Sequence, residues 1–272
     1  MNKYELDYIE LVDRVCHDGD IRQTRSGPTR SIFGTSLRID SLRQHYFPIL
    51  TQRKIFYQGV LGELAAFVRG ATDLATFKGF GCNYWDMNAA AWPPNTGKEK
   101  DDMELGPIYG SQWRSFNGID QLVDLLYSLR AIPDSRRHLL STYNPYDLPD
   151  MCLPPCHLLA QFNVHDGELD CCVTMRSVDL MLGLPSDVVL YATLLIILAA
   201  HADLEPGSLI FQMGDTHIYE NHVTTWSLQV ERPIYNLPDY TLDKTGVLDF
   251  IPTNLRIHSY QNAGVLSYAF NV

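Results

Sequence analysis

The chain has 272 residues, 46% apolar and 19% charged, enough to bury a sizeable core within one domain spanning residues 1–272. Its 32 acidic against 21 basic residues give a formal charge of −11, which excludes a broad cationic face for coating nucleic acid; an anionic ligand needs a local arginine cluster instead. No basic-then-apolar leader is present, and the longest apolar run, residues 188–200, falls short of the roughly twenty that a membrane span requires, so no membrane partner is expected. Six cysteines without a secretion signal fit a reducing, cytoplasmic setting.

In chain order, Tyr4, Tyr8, Leu11, Val12 and Val15 recur at helical spacing and predict an opening helix. An arginine-rich loop (Arg22, Arg25, Arg30) punctuated by Gly27-Pro28 leads into a strand over SIFGTSLRID. Residues 55–70 read as a helix carrying Glu63 among Leu61, Leu64 and Phe67, and the polar, proline-bearing residues 93–105 as an exposed loop. A helix over 121–129 stops before Pro133, and HLLSTYN reads as a strand. LLAQFNV and ELDCCVTMR, joined by His165-Asp166-Gly167, predict a hairpin because Asp-Gly suits the tight turn. The run 188–200 predicts a buried helix; SLIFQMGDTHIY and TTWSLQVERP have strand character. Intermixed helices and strands without a regular repeat predict an α/β or α+β domain on a large mixed sheet.

Three groups of residues could carry chemistry. LPPCH holds Cys156 beside His157: a cysteine is a strong nucleophile once its thiolate is favoured, although an isolated cysteine is more often simply buried. A Cys-His hydrolase needs a histidine brought from elsewhere, and a metal site from Cys152, Cys156 and His157 lacks a second ligand pair, so no metal is expected. Arg136, Arg137 and Arg176, the last followed by Ser177, are individually ordinary surface arginines; together in so acidic a chain they suggest a phosphate clamp. GDTHIYENH supplies hydroxyl, imidazole, phenol and carboxamide groups suited to a sugar.

These pieces converge. TRSIFG, GELAAFVRG, LGPIYGSQWR, PDSRRHLLSTYNP, LPPCHLLAQF, MRSVDLMLGLP, GDTHIYENH and the ending IHSYQNAGVLSYAFNV follow in an order and at intervals that resemble the thymidylate synthase superfamily over nearly the whole chain. The resemblance implies a large mixed sheet with flanking helices and a homodimer packed sheet to sheet. It implies Cys156 as the nucleophile at C6 of a pyrimidine nucleotide, with Glu63, Tyr109 and His157 handling protons. Arg25, Arg176 and Ser177, with Arg136 and Arg137 from the second subunit, would hold the phosphate, and His217 and Tyr219 the deoxyribose. Trp85, Asp179, Gly183 and the terminal Val272 would frame the co-substrate 5,10-methylenetetrahydrofolate. QTRSGPTRSIFG departs from the family spacing and contains a proline, so the assignment of Arg25 is the least anchored. A catalytically idle homologue is disfavoured by the joint retention of Glu63, Tyr109, Cys156 and Arg176.

Asp187 in GLPSD stands where the resemblance expects asparagine. A carboxyl sharing one proton can donate to N3 and accept from the amino group of cytosine, whereas a charged carboxylate would oppose O4 of uracil. The expectation from this residue is therefore a dCMP-specific member, closest to deoxycytidylate hydroxymethylases and methyltransferases, with dUMP as the further alternative. Capping of a helix starting near Val188 is the plainer role for the same aspartate. Asn88, Ser186, Asn271 and Ala66 replace bulkier or apolar family residues, which predicts a wetter pocket and hydroxymethyl rather than methyl as the product, a chemistry suited to a bacteriophage in its host's cytoplasm.

Overall fold

The computed structural model describes residues 2–92 and 103–271; most of the loop expected at 93–105, namely 93–102, and the C-terminal Val272 lie outside the described residues. In order come α1 (Lys3–Asp18), β1 (Asp20–Thr24), β2 (Gly27–Ile39), α2 (Tyr57–Phe67), α3 (Leu74–Gly79), α4 (Asp86–Ala91) and α5 (Tyr109–Ser115). Then follow α6 (Gln121–Ala131), β3 (Leu139–Ser141), β4 (His157–His165), β5 (Glu168–Asp179), α7 (Gly183–His201), β6 (Glu205–Tyr219), α8 (Glu220–Val230) and a small pair, β7 (Tyr240–Leu242) with β8 (Leu255–Ile257).

Six strands form one mixed sheet in the order β1-β2-β6-β5-β4-β3. Only β5 and β6 run parallel; the other neighbours are antiparallel. A parallel pair needs a long crossover, and α7 provides it. That helix is apolar and long enough to cross a membrane, but 78% of its apolar stretch is buried inside the protein, where Leu190, Leu194 and Ile197 join the core against the sheet. The β4–β5 hairpin turns through Asp166 and Gly167, at φ 51° and 80°, as the Asp-Gly pair predicts.

Two readings change. TTWSLQVERP is not a strand: most of it is α8, because His222, Trp226 and Gln229 repeat at helical spacing and bury one face, outweighing the β-branched Thr224 and Thr225. Trp226 packs edge-on against Tyr8, with ring centroids 6.0 Å apart, and its indole N–H donates to Asp13 at 2.9 Å. The arginine-rich loop is in fact the β1–β2 hairpin, in which Arg22 pairs with Asp215 and Arg30 with Glu220. Those two guanidiniums are committed to the fold.

Helix α5 lies so close to α2 that a Cβ on Gly110 would come within 2.3 Å of the Phe67 Cα. The approach stacks Tyr109 on Phe67, with centroids 5.2 Å apart. Gly110→Ala should cost about 2–3 kcal/mol by overpacking this contact, read by denaturant unfolding; an unchanged midpoint would show that α5 is free to shift.

Candidate functional site

Cys156 immediately precedes β4, and two backbone contacts fix it. Its N–H donates to the Tyr109 hydroxyl at 2.9 Å, and its carbonyl accepts from the Arg176 N–H on β5 at 2.9 Å. The Arg176 side chain folds back on the same segment, donating from Nε to the Pro155 carbonyl and from Nη2 to the Pro154 carbonyl, each at 2.8 Å. This leaves Nη2 3.7 Å from the Cys156 sulfur. The consecutive prolines thus expose carbonyls that hold a cation against the thiol. Burial pushes the Cys156 thiol up, Arg176 pulls it down, and the acidic Asp187 and Asp179 push it up again.

Behind the thiol lies a column of rings. His157 stacks on Tyr109 with centroids 4.2 Å apart, and its Nδ1 lies 2.8 Å from the Tyr191 hydroxyl on α7. Burial pushes His157 down to about 3, so the ring is neutral. Nε2 faces Asp187 Oδ1 at 3.5 Å. Asp187 does not cap α7: the helix begins at Gly183, one turn earlier, and Asp179 accepts from the N–H groups of Met181 and Leu182 at 2.9 and 3.3 Å. Desolvation, reinforced by Glu63 and Asp179, drives the Asp187 carboxyl well above the usual range.

Glu63 on α2 is 8% exposed, and burial pushes its carboxyl up to about 7. Each oxygen has its own donor: the Tyr84 hydroxyl reaches Oε2 at 2.8 Å and the Trp85 indole N–H reaches Oε1 at 2.7 Å. Trp85 is therefore a buried partner of Glu63. Tyr84 was not among the sequence-derived candidates, because a tyrosine beside a tryptophan carries no signal that both point at a carboxyl more than twenty positions earlier.

The sugar-suited residues of β6 also come together. His217 Nδ1 lies 3.3 Å from Asp215, and Tyr219 meets the His217 ring edge-on at 5.2 Å. Tyr219 is opposite Thr29 in the β2–β6 register, so the β1–β2 turn lies at this end of the sheet and carries Arg25 there. Ser177 is opposite Asp215 in the β5–β6 register, and Gly183 opens α7 beside Asp179. Arg136 and Arg137, between α6 and β3, are exposed and form no ion pair among the described residues. The Ser186 hydroxyl donates to the Leu182 carbonyl, and the Asn271 side chain bonds Asn221 and His222. Among the described residues, no group of three or more His, Cys, Asp or Glu side chains is placed to hold a metal ion.

The profile of the family described as thymidylate synthase matches residues 6–272. Thymidylate synthase 1/2 of Encephalitozoon cuniculi is 38% identical over 257 residues, covering 89% of this chain and 87% of that protein. The bifunctional dihydrofolate reductase-thymidylate synthases of Leishmania major and, as isoform 2, Arabidopsis thaliana are each 36% identical over 92% and 93% of this chain. The chain spans 54% and 48% of those two proteins, about half their length.

These relatives overturn the cytosine-specific expectation and the hydroxymethyl and methylcytosine products: by name they are thymidylate synthases, alone or in a bifunctional chain, and they lend no support to a bacteriophage source. The physical error lies in treating Asp187 as selective, because a neutral carboxyl can present its donor and acceptor to either base. Uracil is opposed only by a carboxylate, and this pocket favours the neutral acid, whose O–H can donate to O4 while its carbonyl accepts from N3–H.

Arg176→Ala should raise the titration midpoint of Cys156, followed by thiolate absorbance, and slow alkylation by iodoacetamide at pH 7 about tenfold. Cys156→Ala should remove the signal; an unchanged alkylation rate in Arg176→Ala would deny the guanidinium its role.

Proposed function

The chain belongs to the thymidylate synthase family, and from that membership we propose that it methylates dUMP at C5, making dTMP, with Cys156 as the covalent nucleophile. The observation that carries this reading is the Cys156 thiol, held beside the Arg176 guanidinium with the Tyr109 hydroxyl on its backbone and the buried Asp187 carboxyl near it. Addition of the thiolate to C6 moves an electron pair to C5, which becomes the carbon nucleophile. 5,10-Methylenetetrahydrofolate would supply the one-carbon unit and the hydride that reduces it to methyl, leaving as dihydrofolate. Asp179, with its carboxylate at the start of α7, and Gly183, with no side chain to block approach, fit the N–H-bearing edge of a pterin.

The chain's own groups supply the remaining steps. Glu63, near neutrality at about 7, accepts the C5 proton in its ionised form. Tyr109 fixes the Cys156 backbone while the C6–S bond forms and breaks. Arg25, Arg176 and Ser177 bind the phosphate, and His217 and Tyr219 the deoxyribose. Asp187, as a neutral acid, reads the uracil edge.

The sheet presents a row of exposed side chains, Ser36, Gln212 and Thr174, in register across β2, β6 and β5. We propose that a second copy covers this face and lends Arg136 and Arg137 to the phosphate site. Sedimentation at micromolar concentration should give a dimer; a monomer with full activity would sink that arrangement.

The product test is direct: dUMP with methylenetetrahydrofolate should gain a methyl group, seen by mass spectrometry, with dihydrofolate released. An unchanged dUMP would reject the function. Because the folded carboxyl of Asp187 is raised, dUMP turnover persists below its midpoint and declines as pH rises through it. Asp187→Asn, which cannot ionise, should retain turnover and flatten that alkaline decline; a decline of identical shape would remove Asp187 from uracil recognition.

A further inference from the structure

We propose that Tyr84 is a positioning residue for the proton transfer at C5: with Trp85 it forms a two-donor clamp that orients Glu63 and holds it as a carboxylate. The geometry is specific. Adjacent residues on the segment between α3 and α4 each donate to a different oxygen of one buried carboxyl, at 2.8 Å from Tyr84 and 2.7 Å from Trp85. One orientation of the carboxyl satisfies both, and two further donors would be hard to accommodate beside them.

The backbone explains how the clamp is delivered. A Cβ on Gly62 would sit 2.3 Å from the Phe80 carbonyl oxygen and 3.2 Å from the Cys82 nitrogen, so the α3–α4 segment lies directly against α2 one residue before Glu63. Cys82, 1% exposed, is the neighbour of Tyr84 on the other side. The phenol thus sits between a buried thiol and the carboxyl, and its proton is directed at Glu63 Oε2. Cys82 itself is held protonated by burial and by the neighbouring Glu63.

The other groups facing Glu63 oppose its ionisation or leave it unaided. Asp187 and Tyr191 on α7, Tyr109 on α5 and Cys82 all interact with it as acids. Tyr84 and Trp85 are the two partners that lower its titration against the effect of burial. A hydrogen bond to a charged acceptor is stronger than one between neutral groups, so removing either donor favours the protonated acid. A purely packing role for the Tyr84 ring would not depend on the hydroxyl.

What Glu63 does in turnover rests on the thymidylate reading above; its titration does not. In Tyr84→Phe the acid limb of the kcat–pH profile should move to higher pH. At pH 6 kcat should fall about tenfold relative to the unaltered protein, and near pH 9 the two should converge. Melting temperature and KM for dUMP should stay close to the original. Trp85→Phe, which removes the other donor, should move the limb in the same direction.

A second readout needs no turnover: the ¹³C signal of the Glu63 carboxyl, assigned with Glu63→Gln, should titrate at higher pH in Tyr84→Phe. A carboxyl titration that stays put or moves down overturns the clamp, as does a kcat loss of equal size at every pH. A protein that leaves dUMP unchanged while the carboxyl titration moves as expected overturns the thymidylate reading alone.

Discussion

Burial of Glu63, Cys156, His157 and Asp187 in one pocket removes the water that would stabilise their charges, and most of the site's chemistry follows from that desolvation. Left alone it makes every one of these groups neutral, which suits hydrogen-bond reading of a base but not nucleophilic attack. Arg176, 3.7 Å from the sulfur, is placed where the neutral state must yield. The guanidinium keeps its position because Nε is tied to the Pro155 carbonyl and the same Nη2 to the Pro154 carbonyl, rather than to a carboxylate that would cancel its charge.

The scaffold converts this chemistry into a problem of close approach. The parallel β5–β6 pair sets Arg176 and Ser177 beside the end of β6 that carries His217 and Tyr219, and the crossover α7 delivers Asp187 and Tyr191 from the buried side. Helix α5 reaches the same point only because Gly110 lets it touch α2, after which Tyr109 bridges Phe67, His157 and the Cys156 backbone. The pocket is therefore assembled from elements distant in sequence. Its precision depends on contacts between backbones as much as on the side chains named in the chemistry.

Asp187 shows how a correct residue can support an incorrect conclusion. An aspartate where the family resemblance expects asparagine argues against uracil only if it is charged; carrying a proton, it can match cytosine or uracil. The charge belongs to the environment, however. Placed one turn inside α7, beside Glu63 and Asp179 and short of water, the carboxyl favours its neutral form. That form presents one donor and one acceptor, the same count as an amide. That form does not choose between the bases, and it is the thymidylate names of the relatives that overturn the cytosine expectation.

What the sequence by itself determined was whatever depends on local order: the opening amphipathic helix, the Asp-Gly hairpin, the buried apolar helix and the motif series that marks the family, including Cys156 and Arg176. These are written in spacing and in residue type. What only the tertiary structure decided was protonation and partnership. The arginines Arg22 and Arg30 read only as part of an arginine-rich loop until Asp215 and Glu220 are found beside them, and α8 looks extended until Trp226 is seen buried against Tyr8. Tyr84 is silent in the sequence for the same reason. A hydrogen bond between residues 21 positions apart leaves no periodic trace, and the charge of a carboxyl is set by the surroundings that folding brings to it.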